Sequence, residues 1–264
     1  MSHLGKFTED CRLIRKTAPL IHNITNYVAM EISANALLAV GASPIMSSEP
    51  DEMEELVRAS AALVVNIGCL ENRQIEAMRI GAEAASRLGK PWVLDPVGAG
   101  ASRLRTETSI DLLCRFHPSV VRGNASEILA LCEVDAGSRG VDSIEDSLTA
   151  LKYAKALAEK FKTVVSISGP TDYITDGQEV ISISNGSSLM PSVTAMGCTA
   201  SALTAAFLAV DPNSLSAASC AMALMGVAGE KAAAESDGPG SLAVKFLDTL
   251  YSLDPEEAFR MIRL

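Results

Sequence analysis

The sequence predicts an α/β protein with a central, mostly parallel sheet and helices on both faces. Three observations carry that reading. Short β-branched runs alternate with longer helical stretches as far as Ile167. Such alternation is the pattern of βαβ units whose strands are covered on both sides. Beyond Ile167 the pattern changes to a hairpin followed by three largely helical segments. Finally, the chain is 48% hydrophobic but only 4% aromatic, so its apolar content is aliphatic and ample for a core.

The elements follow in order. Strands are expected at residues 20–22, 44–46, 63–67, 92–94, 119–121 and 164–167. Helices are expected at residues 27–40, 52–60, 73–88, 126–131 and 144–160, with Thr25 or Asn26 as the natural N-cap of the first. Residues 173–175 and 180–184 read as a hairpin, with Asp176-Gly177 as its turn. Three helices close the chain, at residues 198–210, 215–235 and 242–250. Neither an internal repeat nor a low-complexity linker or charge block interrupts the series, so residues 1–264 read as one domain.

Composition excludes several classes. Disorder does not fit this apolar content. A chain of 264 residues buries roughly three quarters of its unfolded surface and needs no disulfides for a core. The formal charge of −10 opposes nucleic acid, and the few aromatic side chains leave little for base stacking. Six scattered cysteines without a CxxC pair read as reduced cytosolic thiols, and no zinc site is expected. Residues 1–20 lack the apolar core of a signal peptide, and no apolar run reaches the ~20 residues that a bilayer needs. The expectation is a soluble cytoplasmic protein.

Open α/β sheets bind ligands beyond the carboxyl ends of their strands, so those loops come next. Asp95-Pro96-Val97-Gly98-Ala99-Gly100 follows the strand at 92–94. Its Asp could organise Mg²⁺ or phosphate, and its glycines allow close backbone approach; a plain Asp-Pro turn is the alternative. No Gly-Lys-Ser/Thr follows, which excludes a Walker A loop. Arg122-Gly123-Asn124-Ala125-Ser126-Glu127 has capping-box spacing. Glu127 could equally hold metal-bound water while Arg122 meets a polyphosphate. Ala195-Met196-Gly197-Cys198 opens a helix, whose exposed N–H groups would form an anion site. A cysteine there would have a lowered pKa and could orient or partly deprotonate an alcohol. A small residue packed at a helix start is the alternative. Met46, at a strand end, could line an apolar pocket or sit in the core. His22 and His117 have no partner identifiable from spacing.

The order of these motifs is more specific than any one of them. The series Asn26, Asn35-Ala-Leu-Leu-Ala-Val-Gly-Ala-Ser-Pro-Ile-Met46, residues 63–68, 95–100, 122–127, Gly197-Cys198 and Gly238-Pro-Gly-Ser241 resembles the hydroxyethylthiazole kinases. The likeness runs from about Thr17 to Leu250. It implies a ribokinase-like fold and a homotrimer with active sites between protomers. It implies ATP- and Mg²⁺-dependent phosphorylation of 4-methyl-5-(2-hydroxyethyl)thiazole, a salvage step in thiamine synthesis. By the same resemblance Met46, Ala195, Asn26 and Gly68 belong with the thiazole, and Arg122, Ser168, Asn124 and Gly197 with ATP. Cys198 stands where most ribokinase-like enzymes carry a catalytic Asp, and Asp95 with Glu127 matches the acidic positions around magnesium.

Two places depart from the family pattern. Ala195-Met196 replaces the usual Gly followed by Ala or Thr, and Ser168-Gly169-Pro170 replaces Thr-Gly-Glu. The departures leave two further readings open: a kinase for another small alcohol of pyrimidine or pyridoxal type, and a silent thiazole- or nucleotide-binding relative.

Overall fold

The computed structural model describes residues 3–136 and 147–264. Eight strands form one sheet in the order β2-β1-β3-β4-β5-β6-β7-β8. The strands are β1 (Leu20–Ile24), β2 (Ser43–Met46), β3 (Ala62–Asn66), β4 (Trp92–Asp95), β5 (Val120–Asn124), β6 (Val164–Ser168), β7 (Asp172–Thr175) and β8 (Val180–Ile183). All pairings from β2 to β6 are parallel. The β6–β7 and β7–β8 pairings are antiparallel, as the hairpin predicts. At the turn, Asp176 Oδ1 accepts the N–H groups of Gln178 and Glu179, and Gly177 takes φ +101°.

The sheet separates two apolar layers because successive side chains of a strand point to opposite faces. Along β3, Ala62 and Val64 join one layer while Leu63 and Val65 join the other. The first layer contains α1 (Phe7–Thr17), α2 (Met30–Val40), α8 (Met196–Leu208), α9 (Ser214–Ala234) and α10 (Pro239–Ser252). The second contains α3 (Met53–Ala59), α4 (Asn72–Leu88), α5 (Arg103–Phe116), α6 (Ala125–Ala136) and α7 (Ser147–Phe161). A last short helix, α11 (Pro255–Met261), packs on α1 and α9.

Differences from the sequence reading have local causes. Helices α1, α5 and α11 were not expected. The charged surface of α1 hides a narrow stripe of Phe7, Cys11 and Ile14, and α5 buries six residues spread among charged ones. The helix expected from residue 27 begins only at Met30, because Asn26 Oδ1 accepts the Ala29 N–H and caps a preceding turn instead. Arg122, Gly123 and Asn124, expected in a loop, continue β5 in register with Ser166, Ile167 and Ser168 of β6. Of the helix expected at 144–160, residues 144–146 lie outside the described residues; the described part is α7. Because β1 to β6 run parallel, Asn66, Asp95, Asn124 and Ser168 all end their strands at the same edge of the sheet.

Candidate functional site

The centre of that edge is a buried polar chain. Asn66 and Asp95 are partners in register on β3 and β4. The Asn66 amide donates to Asp95 Oδ2 at 2.6 Å, and its Oδ1 accepts from Asn26 Nδ2 and the Gly68 N–H, both at 2.9 Å. Ser201, from α8, donates to the same Asp95 oxygen at 2.7 Å. Two donors therefore hold Oδ2, while Oδ1, fully buried, has no hydrogen-bond partner. Burial pushes the Asp95 carboxyl up to about 6; Arg122 and the two hydrogen bonds oppose that shift, and Glu127 adds to it. An orphaned acceptor of this kind suits a cation, since a buried carboxylate is costly until its charge is matched.

Glu127 performs the capping-box function that its spacing allows. Its Oε2 accepts the Asn124 N–H at 2.8 Å, while Asn124 Oδ1 accepts the Glu127 N–H at 2.9 Å. The other carboxylate oxygen takes the Gly98 N–H at 2.9 Å, which ties the loop after β4 to the start of α6. Gly98 and Gly100 both have φ in the left-handed region. Arg105 of α5 completes this frame by donating to the carbonyls of Ile67, Gly68 and Val97.

Arg122 lies buried on β5, with one guanidinium nitrogen donating to Ser168 Oγ at 2.7 Å and its Nε unpartnered. A Cβ at Gly197 would fall 2.7 Å from Arg122 Nη1, so glycine there lets the guanidinium lie directly against the start of α8. Gly197 belongs to the first turn of α8, which begins at Met196 rather than at Cys198. The first intrahelical bond runs from Thr199 N–H to Ala195 O at 2.9 Å, so the N–H groups of residues 196–198 have no intrahelical acceptor. Together with the guanidinium they present a set of donors that suits an anion.

The expected lowering of the Cys198 pKa is corrected here. Burial, and then the Asp95 charge, pushes the thiol up to about 11, against smaller opposing effects of Asn26, Asn66 and Arg122. A helix N-terminus lowers a thiol pKa only when the thiolate is solvated or paired, and this thiol has an acidic neighbour. Cys198 is therefore a neutral thiol, accepting from Asn26 Nδ2 at 3.4 Å. Ala195, the N-cap of α8, stands at φ +62° and ψ +12°, a left-handed conformation that favours Gly. Met196 is buried, belongs to the core layer and also lines the cleft.

A cleft of about 680 Å³ gathers Asp95, Arg122, Asn124, Glu127, Ser168, Ala195, Gly197 and Cys198 along its walls. Asn26 and Gly68 adjoin it through the polar chain. Met46 is not brought in: it ends the edge strand β2, half-buried, opposite Asn23. His22 is buried against this strand end, its Nε2 hydrogen-bonded to Ser47 O at 3.2 Å, and burial lowers its pKa to about 4. Three residues of the site were missed in the sequence. Asn66 could have been noticed as a polar residue ending an apolar strand, level with Asp95. Ser201 gave no signal inside an alanine-rich helix. Asp172 lines the cleft, accepts the Gly169 N–H at 3.0 Å, and is pushed up to about 6 by burial. Among the described residues no three His, Cys, Asp or Glu side chains form a ready-made metal cluster. None of the described helices is long and apolar enough to cross a membrane.

Comparison with known proteins gives one consistent result. The hydroxyethylthiazole kinase family matches residues 11–256. The chain is 52% identical over 250 residues to a hydroxyethylthiazole kinase of Brachyspira hyodysenteriae, covering 95% of this chain and 94% of that protein. It is 47% identical to one of Nitratidesulfovibrio vulgaris over 264 residues, 100% of this chain and 99% of the other. Among solved structures, a hydroxyethylthiazole kinase protein from Pyrococcus horikoshii superposes with TM-score 0.90 at 41% identity, covering 97% of each chain. A ribokinase-like protein of Enterococcus faecalis, at 14% identity and TM-score 0.68 over 90% of this chain and 87% of that one, shares the fold.

Proposed function

The chain belongs to the hydroxyethylthiazole kinase family, and from that premise we propose how its cleft phosphorylates the alcohol of 4-methyl-5-(2-hydroxyethyl)thiazole. The enzyme is a kinase with ATP as phosphoryl donor, acting in thiamine salvage. The observation that carries the mechanism is the single cleft that joins Arg122, the first turn of α8 and the chain Asn26–Asn66–Asp95 to Cys198. Residues 1–264 act as one kinase domain.

Among the described residues that line the cleft, Asp95, Glu127 and Asp172 set three carboxylates against the single guanidinium of Arg122. A nucleoside triphosphate entering such a site needs added positive charge, which favours Mg²⁺ as its companion. Asp95, through its unpartnered Oδ1, and Glu127 are the residues that would hold the ion, directly or through water. Bound there, Mg²⁺ supplies charge neutralisation of the phosphate oxygens. Arg122 with Ser168, Asn124 and Gly197 takes the phosphates, while Met190, Pro191, Met222 and Met225 supply apolar lining of the same cleft that suits the flat faces of a purine.

The alcohol lies between Cys198 and Ala195, with Asn26 and Gly68 behind it. Its oxygen attacks the γ-phosphorus as the bond to the bridging β–γ oxygen breaks and ADP departs. In a loose transition state the attacking hydroxyl gains little positive charge early, so positioning outweighs base strength. A neutral thiol is adequate for this: Cys198 orients the hydroxyl, and the hydroxyl proton passes to an oxygen of the transferred phosphoryl group after the O–P bond has largely formed. The N–H groups of residues 196–198 and Arg122 stabilise charge on the transferred group. Met46 stands apart from this cleft, which supports a homotrimer in which the Met46 edge of one protomer completes its partner's site. We place the enzyme in the cytoplasm. The direct test is ADP release with hydroxyethylthiazole, ATP and Mg²⁺ present; no release above that without the alcohol would refute the assignment.

A further inference from the structure

One wall of the cleft is the connection from β8 to α8, irregular over residues 184–189 and then a single 3-10 turn at Met190–Ser192. Ser184, Asn185, Gly186, Ser187, Ser188 and Met190 all line the cavity, and they belong to the stretch joining β8 to α8. How this connection is held therefore decides the shape of the cleft.

Helix α9 provides a seat. A Cβ at Gly226 would come within 2.8 Å of both the Asn185 side chain and its carbonyl oxygen, and one at Gly229 would run into the Met190 thioether. The two glycines lie one turn apart, so the helix offers a bare strip on which the loop rests. A clasp closes over it from residues 261–263, far away in sequence. The Ser184 N–H donates to Arg263 O at 2.9 Å, and the Arg263 guanidinium returns a bond to Ser184 O at 3.1 Å. Asn185 is buried with its amide fully used: Nδ2 donates to Met261 O at 2.9 Å and to Glu230 Oε2 at 3.1 Å, and Oδ1 accepts the Arg263 N–H at 2.7 Å. Glu230, on α9 just beyond Gly229, pairs with both terminal nitrogens of Arg263, at 2.7 and 2.8 Å.

We propose that Asn185, Glu230 and Arg263 are positioning residues that fix the nucleotide-base wall of the cleft, and so set nucleotide affinity without touching the phosphates or the alcohol. The proposal rests on the reading that the base of ATP lies against the methionine lining of the cleft. Its physical basis is preorganisation: a loop already seated loses less freedom when a ligand closes against it. Arg263 and Glu230 do not line the cleft, so a change there reaches the nucleotide only through the loop.

The test is ADP affinity by calorimetry, with steady-state kinetics, on the parent, Arg263→Ala, Glu230→Gln and Arg122→Ala. Arg263 is half-exposed, and its replacement leaves the core intact. For Arg263→Ala and Glu230→Gln the expected result is ADP binding weakened roughly three- to tenfold, the worth of one or two hydrogen bonds. KM for ATP should rise in step, with kcat and the KM for the alcohol within about twofold of the parent. A double variant should be no weaker than the poorer single one, because both changes open the same clasp. ADP affinity unchanged in both variants while Arg122→Ala loses it would overturn the clasp and leave the nucleotide site standing. Equal losses for ATP and alcohol would also overturn it, since they indicate general loosening. Unchanged affinity in Arg122→Ala as well would remove the nucleotide assignment of the cleft itself.

Discussion

Replacing Ala195 by Gly tests the most unusual feature of the site. Ala195 sits at φ +62°, where an L-residue with a Cβ is disfavoured by about 1–2 kcal/mol. The conformation is held in place: Ala195 O accepts both the Thr199 N–H at 2.9 Å and the Thr199 hydroxyl at 3.0 Å, which anchors the start of α8. Glycine would keep that geometry and remove the strain. Against this gain stands the greater freedom of glycine in the unfolded chain, about 0.4–1 kcal/mol. The balance is a stabilisation of about 0.5–1 kcal/mol, or roughly 1–3 °C in Tm for a chain of this size. Met196 should be left alone, because it is a buried core side chain and its truncation to Thr would cost more than the loop gains.

The same variant also bears on activity. Ala195 lines the cleft, and losing its methyl widens the place assigned to the alcohol, so kcat/KM for hydroxyethylthiazole should rise. Thermal unfolding and steady-state kinetics of parent and variant are the assays. A variant with lowered Tm would refute the left-handed strain. A raised Tm with unchanged or lower kcat/KM would show that the pocket is adjusted to the methyl group.

Four further outcomes are expected. Asp95→Asn keeps its fold, because the amide oxygen can take over the bonds from Asn66 and Ser201 while its nitrogen replaces the orphaned Oδ1; turnover should fall by about 10²–10³-fold, and near-parent kinetics would refute the metal-holding role. Cys198→Ala should lower kcat and retain ADP binding, and the pH profile of the parent should show no thiol titration near neutrality, since the thiol lies near 11; a group titrating between 6 and 8 that vanishes in the variant would restore the thiolate reading. Stability of the ligand-free protein should rise as pH falls from 7 to 5: Asp10, Asp95 and Asp172 are all held near 6 when folded against 3.8 unfolded, and take up protons in the native state, while His22, near 4 folded against 6.5 unfolded, opposes them, as do Glu49, Glu54 and Glu230, whose arginine partners hold them below the ordinary carboxylate value and which matter chiefly at the acid end of the range. A Tm that drops over this range would contradict that balance. Light scattering should show a trimer, and a fully active monomer would refute the shared site.

The α/β class, the six parallel strands, the hairpin and the family were all legible in the residues alone, because these reside in local periodicity and in strings such as Arg122–Glu127. The capping box was legible too, since Asn124 and Glu127 meet within one helical turn. The remaining features depend on residues distant in the chain. Asn66 became part of the site because parallel pairing sets it level with Asp95, and Ser201 because α8 crosses beneath both. Burial and the Asp95 charge reversed the expectation for the Cys198 thiol, and neither can be read from a helix start. The backbone of Ala195 and the grip of Arg263 on Ser184 were equally invisible. A dihedral angle depends on the whole loop that holds it, and a contact across 79 residues is made by the fold rather than by the local sequence at either end.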